Sequence, residues 1–133
     1  MPPSLPPLAE LKPPLPLWGC RAAPAGWAGA AHHQAPSFDV PPGRLFRIWL
    51  ALAARQPRTE LIAQDERAPR SLHVQRTPRL RLPDLVRAEV VALGAERSGI
   101  VLDSRARYGL FDFGVNRRRV LEWLADLQAA VEG

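Results

Sequence analysis

The sequence predicts an α+β fold, an antiparallel four-stranded sheet with two helices on one face, preceded by a Pro-rich disordered leader. Three observations predict it. Two stretches, one after Pro41-Pro42 and one ending the chain, carry apolar residues at the three-and-four spacing of amphipathic helices. Between them lie four short segments of strand character joined by short connections, an order most simply met by an antiparallel sheet with both helices on one side. The first 37 residues hold most of the 15 prolines and keep neither period.

Taken in order, residues 1–37 read as a Pro/Ala/Gly-rich leader, because Pro-rich backbone favours extended, solvated conformations that bury little. It is expected to be disordered, or to lie on the domain surface through Trp18 and Trp27. A start codon placed too early is a further reading of the same stretch. Residues 38–133 form a single domain of about 95 residues, enough for one modest core.

The first helix follows Pro41-Pro42, with Leu45, Phe46, Trp49, Leu52 and Ala53 on one face and Arg44, Arg47 and Arg55 free to reach water; Pro57 ends it. Thr59 to Gln64 and Ser71 to Thr77 are the first two strands, separated by a polar turn containing Pro69. Asp84 to Leu93 and Gly99 to Arg107 are the third and fourth, joined by a glycine-bounded hairpin loop from Gly94 to Gly99. On the fourth, Ile100, Leu102, Ser104 and Ala106 point inward, while Val101, Asp103, Arg105 and Arg107 share the other face. The last helix runs from about Val115 to Val131 and turns Val120, Trp123, Leu124, Leu127, Ala130 and Val131 to one side.

Composition excludes more than it assigns. The formal net charge is +5, and Lys12 is the only lysine among 18 basic residues. That Arg bias, with abundant Ala, Pro and Leu, reads as the product of a GC-rich genome. Acidic residues interrupt the arginines, which argues against nucleic acid as a partner. The single Cys20 can form no internal disulfide and no zinc site alone. Leu17-Trp18-Gly19-Cys20 resembles a lipobox, but Glu10, Lys12 and the prolines at 13, 14 and 16 break the apolar run that such a signal needs. No membrane-spanning segment, metal site or cofactor motif is visible, and His32-His33 read as solvated histidines.

The stretch Ala106-Arg107-Tyr108-Gly109-Leu110-Phe111-Asp112-Phe113-Gly114-Val115-Asn116-Arg117-Arg118-Arg119 stands out, leading from the last strand into the last helix. Its glycines permit positive φ or close backbone approach, and Asp112 and Asn116 are helix-capping residue types. Three arginines in the first helical turn oppose the helix dipole unless carboxylates or an anion compensate. Asp112 or Asp103 pairing with Arg117 or Arg119, and Arg118 with Glu122, is the structural explanation. A small anion held by Arg107, Arg117, Arg119 and free amides is the functional one.

This run resembles the signature of the family known as domain of unknown function 1499, Ser-Arg-x-Gly-x-x-Asp-Leu-Gly-x-Asn-x-x-Arg. His33 to Phe38, Pro57-Arg58-Thr59 and Leu72-His73 are similar to further family features, so the resemblance spans roughly residues 32–131. It implies a mainly bacterial protein with envelope association, since members often carry a lipoprotein signal or transmembrane helices. It implies no activity. The chain departs from the pattern at Leu85, where the family has a second Asp after Asp84, at Ala106 in place of Ser, and at Asp103 in place of Arg.

Three functional readings follow. The first is a non-catalytic binding or accessory module whose corner is built by Arg107, Gly109, Asp112, Gly114, Asn116, Arg117 and Arg119. The second is a small enzyme using His73 as acid or base, oriented by Asp84 or Asp112. The third, nucleic-acid binding, requires Arg76, Arg79, Arg81, Arg87, Arg105 and Arg107 to form one stripe on the sheet.

Overall fold

The computed structural model describes residues 4–108 and 112–133. Helix α1 (Pro42–Ala54) starts on proline, which loses nothing where helical amides lack partners anyway, and buries Leu45, Phe46, Trp49, Leu52 and Ala53. Strands β4 (Thr59–Asp65), β5 (Arg70–Arg76), β6 (Pro83–Gly94) and β7 (Arg97–Ala106) follow as an antiparallel run. Helix α2 (Val115–Glu132) closes the chain. Both helices share one core with Val86, Ala88 and Val90 of β6 and Ile100 and Leu102 of β7, so they lie on one face of the sheet. Trp49 centres it: its ring meets Trp123 of α2 at 5.7 Å, and its Nε1–H donates to Ser71 Oγ at 2.8 Å.

The expected four strands are too few. Three more come from the stretch around the expected leader boundary: β1 (Gly19–Ala23), β2 (His33–Gln34) and β3 (Ser37–Phe38). β1 pairs antiparallel with β7, Cys20 opposite Ser104 and Ala22 opposite Leu102. β2 adds to β1 in parallel, which makes the sheet mixed, and β3 pairs with the beginning of β7. Gly19–Ala23 and His33–Gln34, both within the expected leader, are thus strands of the sheet. The first escapes notice because Gly-Cys-Arg-Ala-Ala has no aromatic, β-branched or large aliphatic residue, although it alternates faithfully, with Cys20 and Ala22 under the helices and Arg21 and Ala23 on the outer face. Gly19 is required there: a Cβ would stand 2.6 Å from the Ser104 carbonyl oxygen.

The outer face is covered as well. Leu8, in a single 3-10 turn of residues 8–10, is buried with Ala23 and Val101, and Trp27, Leu11 and Val91 pack around them. Val101 and Asp103 do share the face opposite the helices, and both are fully buried there. The hairpin also differs from expectation. Gly94 pairs with Arg97, so only Ala95 and Glu96 turn, and neither Gly94 nor Gly99 has positive φ. No helix among the described residues is long and apolar enough to cross a membrane.

Candidate functional site

The signature residues assemble around Asn116, fully buried in the first turn of α2. Asp112 sets the approach. Its carboxylate accepts from the Gly114 amide at 2.9 Å, the Asn116 amide at 3.2 Å and Asn116 Nδ2 at 2.9 Å, satisfying donors that a helix start leaves open. Gly114 adopts φ +81°, a conformation glycine takes without a Cβ penalty, whereas Phe113 before it is held at φ +51°. From the other side, Ser104 Oγ donates to Asn116 Oδ1 at 2.6 Å.

Arg119, one turn further on, completes the network. Nη1 donates to Asn116 Oδ1 at 2.6 Å and Ser104 Oγ at 3.1 Å, Nε donates to Gln75 Oε1, and Nη2 lies 2.9 Å from Asp84 Oδ2. Burial pushes the Asp84 carboxyl upward, with Arg119 opposing that shift, and burial likewise lowers Arg119. Removing Arg119 alone would strand a buried carboxylate, a loss of about 3–5 kcal/mol.

This partnership corrects three expectations. Arg119 pairs with Asp84 rather than with Asp112 or Asp103, and Asp84, at the entry of β6, is its buried counter-ion. Asp103 belongs instead to Arg21, at 2.8 Å, and Arg105, at 2.7 Å, on the outer face. Arg107, Arg117 and Arg119 do not converge on a single anion position: Arg117 is exposed with Nε 3.3 Å from His33 Nε2, and Arg107 is exposed beside the Tyr108 ring. Gly109 lies outside the described residues.

His73 is not a surface residue. It is 2% exposed, its ring stands edge-on to Trp49 at 5.9 Å, and its Nδ1 has no hydrogen-bond partner among the described residues. Desolvation pushes its pKa down to about 4. Asp84 is committed to Arg119 and Asp112 to the α2 turn, and no hydrogen bond among the described residues joins either to His73. The pairing needed for acid–base work is not formed. The arginine stripe is broken too, since Arg105 is engaged by Asp103 and the Lys12 carbonyl. No group of three or more His, Cys, Asp or Glu among the described residues can hold a metal ion.

Sequence reasoning missed a cavity of about 450 Å3 beside the network. Asp84 and Asp112 reach it, while its walls are mainly apolar: Leu82, Pro83, Ala106 and Val115. At its rim, Leu80 is 76% exposed, Tyr108 58% and Phe113 91%. The loop from Thr77 to Leu82 closes on itself, Thr77 N–H donating to the Leu82 carbonyl and the Leu82 amide to Thr77 Oγ1, which holds Leu80 out. Past the shared wall of Thr77, Pro78 and Val115 lies a second cleft, of about 400 Å3, lined by Arg58, Arg76, Arg118 and Arg119 with Glu122 the only carboxylate among the described residues there. No sequence pattern singles out Leu80, which stands between Arg79 and Arg81. Only the fold brings it opposite Phe113.

The family model described as protein of unknown function (DUF1499) matches residues 19–127. The chain belongs to that family. The match begins at Gly19, so β1 is part of the DUF1499 domain, and it covers every residue of the Asn116 network. No curated protein matches the sequence. Among solved structures, the DUF1499 chain is similar to the di-domain ARO/CYC BexL from the BE-7585A biosynthetic pathway, with 16% identity and a TM-score of 0.55, over 74% of this chain and 45% of that one. The chain thus spans less than half of BexL, and the likeness is one of fold. A Thermus thermophilus protein aligns with 15% identity over 72% of this chain and 86% of its own, at a TM-score of 0.32.

Proposed function

We propose that this DUF1499 chain is a non-catalytic binding module for an anionic amphiphile, a small molecule with an apolar body and a carboxylate or phosphate head. The observation that carries this reading is the adjacency of the two clefts, one apolar with exposed Leu80, Tyr108 and Phe113 at its rim, the other arginine-lined, with Thr77, Pro78 and Val115 common to both. A concave apolar site with a few convergent polar groups is the usual form of a small-molecule pocket. Isolated exposed apolar side chains are ordinary, but three around one cavity favour a surface that is covered in use.

Arg58 and Arg118 are cations available to a head group, beside Arg76, whose Nη1 donates to the Arg81 carbonyl. Arg58 and Arg118 are exposed, neither has an ion-pair partner among the described residues, and the Arg58 Nε–H bond to the Arg76 carbonyl at 2.9 Å fixes its direction. Arg119, turned to Asp84, serves the scaffold. In this reading the anion-binding capacity expected of the signature survives, but through its neighbours. The signature itself acts as the clasp that keeps Phe113 at the rim. Such ligands suit the envelope association that the family resemblance implies.

The test is calorimetric titration with dodecanoate, dodecyl phosphate and dodecanol. The two anions are expected to bind saturably and dodecanol about tenfold or more weakly, because a charge-assisted hydrogen bond contributes about 1.5–3 kcal/mol. Arg58→Ala/Arg118→Ala should remove the preference for anions, and Ala106→Phe, which fills the cavity, should abolish binding with the circular dichroism spectrum retained. Equal affinity for all three ligands, or binding undisturbed by Ala106→Phe, would overturn the proposal.

A further inference from the structure

The face of the sheet turned away from the helices carries an apolar island within a ring of charge. Ala23, Val91, Val101 and Trp27 form the island. Arg21, Asp103, Arg105, Arg70 and Glu89 form the ring, tied by ion pairs of 2.7–2.8 Å. Residues 5–12 lie across it, and the sheet holds their backbone. The Leu8 amide donates to Glu89 Oε1 at 3.0 Å, Arg70 Nη1 donates to the Leu5 carbonyl at 3.0 Å, and Arg105 Nη2 donates to the Lys12 carbonyl at 2.9 Å, with Arg21 Nη2 at 3.5 Å from the same oxygen. Leu8 is the one fully buried side chain among residues 5–12, and beneath the segment remains a cavity of about 80 Å3 bounded by Leu5, Leu8, Leu11, Leu72, Arg87 and Ala88.

This is how a receptor reads a peptide rather than how a core locks a strand. Charged side chains take main-chain groups at fixed spacing, one apolar anchor enters a shallow pocket, and the residual void shows that the contact is not interlocked. Buried ion pairs such as Arg21 with Asp103 also cost more in desolvation than an apolar face would, so stability alone does not account for them. We infer that the outer face of the sheet is a binding site for a Leu/Pro-containing peptide segment, occupied in cis by residues 5–12 of the chain itself. The site requires a carbonyl three residues before the anchoring leucine, a free N–H on that leucine and a carbonyl four residues after it. Proline is accepted between those points, as Pro6 and Pro7 are, but not at the anchor.

The strap lies on the opposite face from α1 and α2, so this site stands or falls independently of the amphiphile cleft. The test uses the full chain carrying Leu8→Glu, which expels the anchor, and a fluorescein-labelled peptide of residues 4–16 followed by anisotropy. The Leu8→Glu chain is expected to bind the peptide saturably and the native chain at least about tenfold more weakly, because its site is filled. A peptide N-methylated at Leu8, which lacks the amide donor, should lose about tenfold against the unmodified one. A folded Leu8→Glu chain that ignores the peptide, or a native chain that binds it equally well, overturns the inference. Native-state hydrogen exchange decides the case if Leu8→Glu fails to fold. The Leu8 and Leu11 amides should open at lower free energy than those of Ile100 and Leu102 yet more slowly than free chain. Exchange of all four only through global unfolding, or no protection at Leu8 and Leu11, sinks it.

Discussion

His73 is buried against Trp49, its Nδ1 without a hydrogen-bond partner among the described residues, and its neutrality is a condition of the fold. With a folded pKa near 4 against an ordinary 6.5, the unfolded chain binds more protons between those values. The stability His73 permits is therefore fully present above about pH 6.5 and is lost as pH falls toward 4, an effect on the order of 3 kcal/mol. Urea titrations from pH 7.5 to 4 should show that decline, and His73→Phe should flatten it. An unchanged slope in the variant would assign the decline to other groups. At this scale the sequence was only partly legible. Asp112 as a cap and Gly114 as a left-handed residue follow from residue type and spacing. The Arg119 to Asp84 pair does not, because the register of β6 against β5 and β7 brings Asp84 under α2 from 35 positions away, and no local pattern encodes it.

Among elements, β1 shows where pattern reading ends. The two helices and β5 to β7 were legible because each carries large apolar side chains at its own period, whereas β4 sets Leu61 and Ile62 side by side, both exposed; the boundaries of all six differ from expectation by only a few residues. β1 is an interior strand buried on both faces, yet it is written in glycine, alanine, one cysteine and one arginine, a composition it shares with the disordered stretch predicted around it. Tertiary packing selected small residues there: Gly19 touches the β7 backbone, while Cys20 and Ala22 fit beneath the helices. Gly19→Ala is expected to destabilise the chain by about 1–3 kcal/mol, since overpacking at a close backbone approach forces the sheet apart. A thermal midpoint within error of the native one would mean that β1 has slack the structure does not suggest. β2 and β3, two residues each, lie below the length at which alternation carries information.

For the whole molecule, Cys20 reports how cooperatively these layers hold together. Its thiol is buried and burial raises its pKa to about 11, so it is unreactive in the folded chain. Labelling by a thiol reagent is expected to proceed at the global unfolding rate, measured independently by dilution into urea. Labelling much faster than unfolding would mark β1 as a separately opening unit. The same thiol bears on the lipobox-like sequence, because in the folded domain Cys20 lies inside the core and not at a tethering point.

The pairing of β1 with β7 also sets an order of events during synthesis. Gly19 to Ala23 leave the ribosome first, but their partners Leu102 to Arg105 arrive some 80 residues later. At about 5–20 residues per second the strand waits roughly 4–16 s with only the two residues of β2 to pair against. Every nascent chain shorter than β7 thus exposes a small, proline-flanked, weakly hydrophobic segment in place of a greasy one. The plain composition that hides β1 from a reader of the sequence would equally hide it from a chaperone, or from the neighbouring chain on the same message.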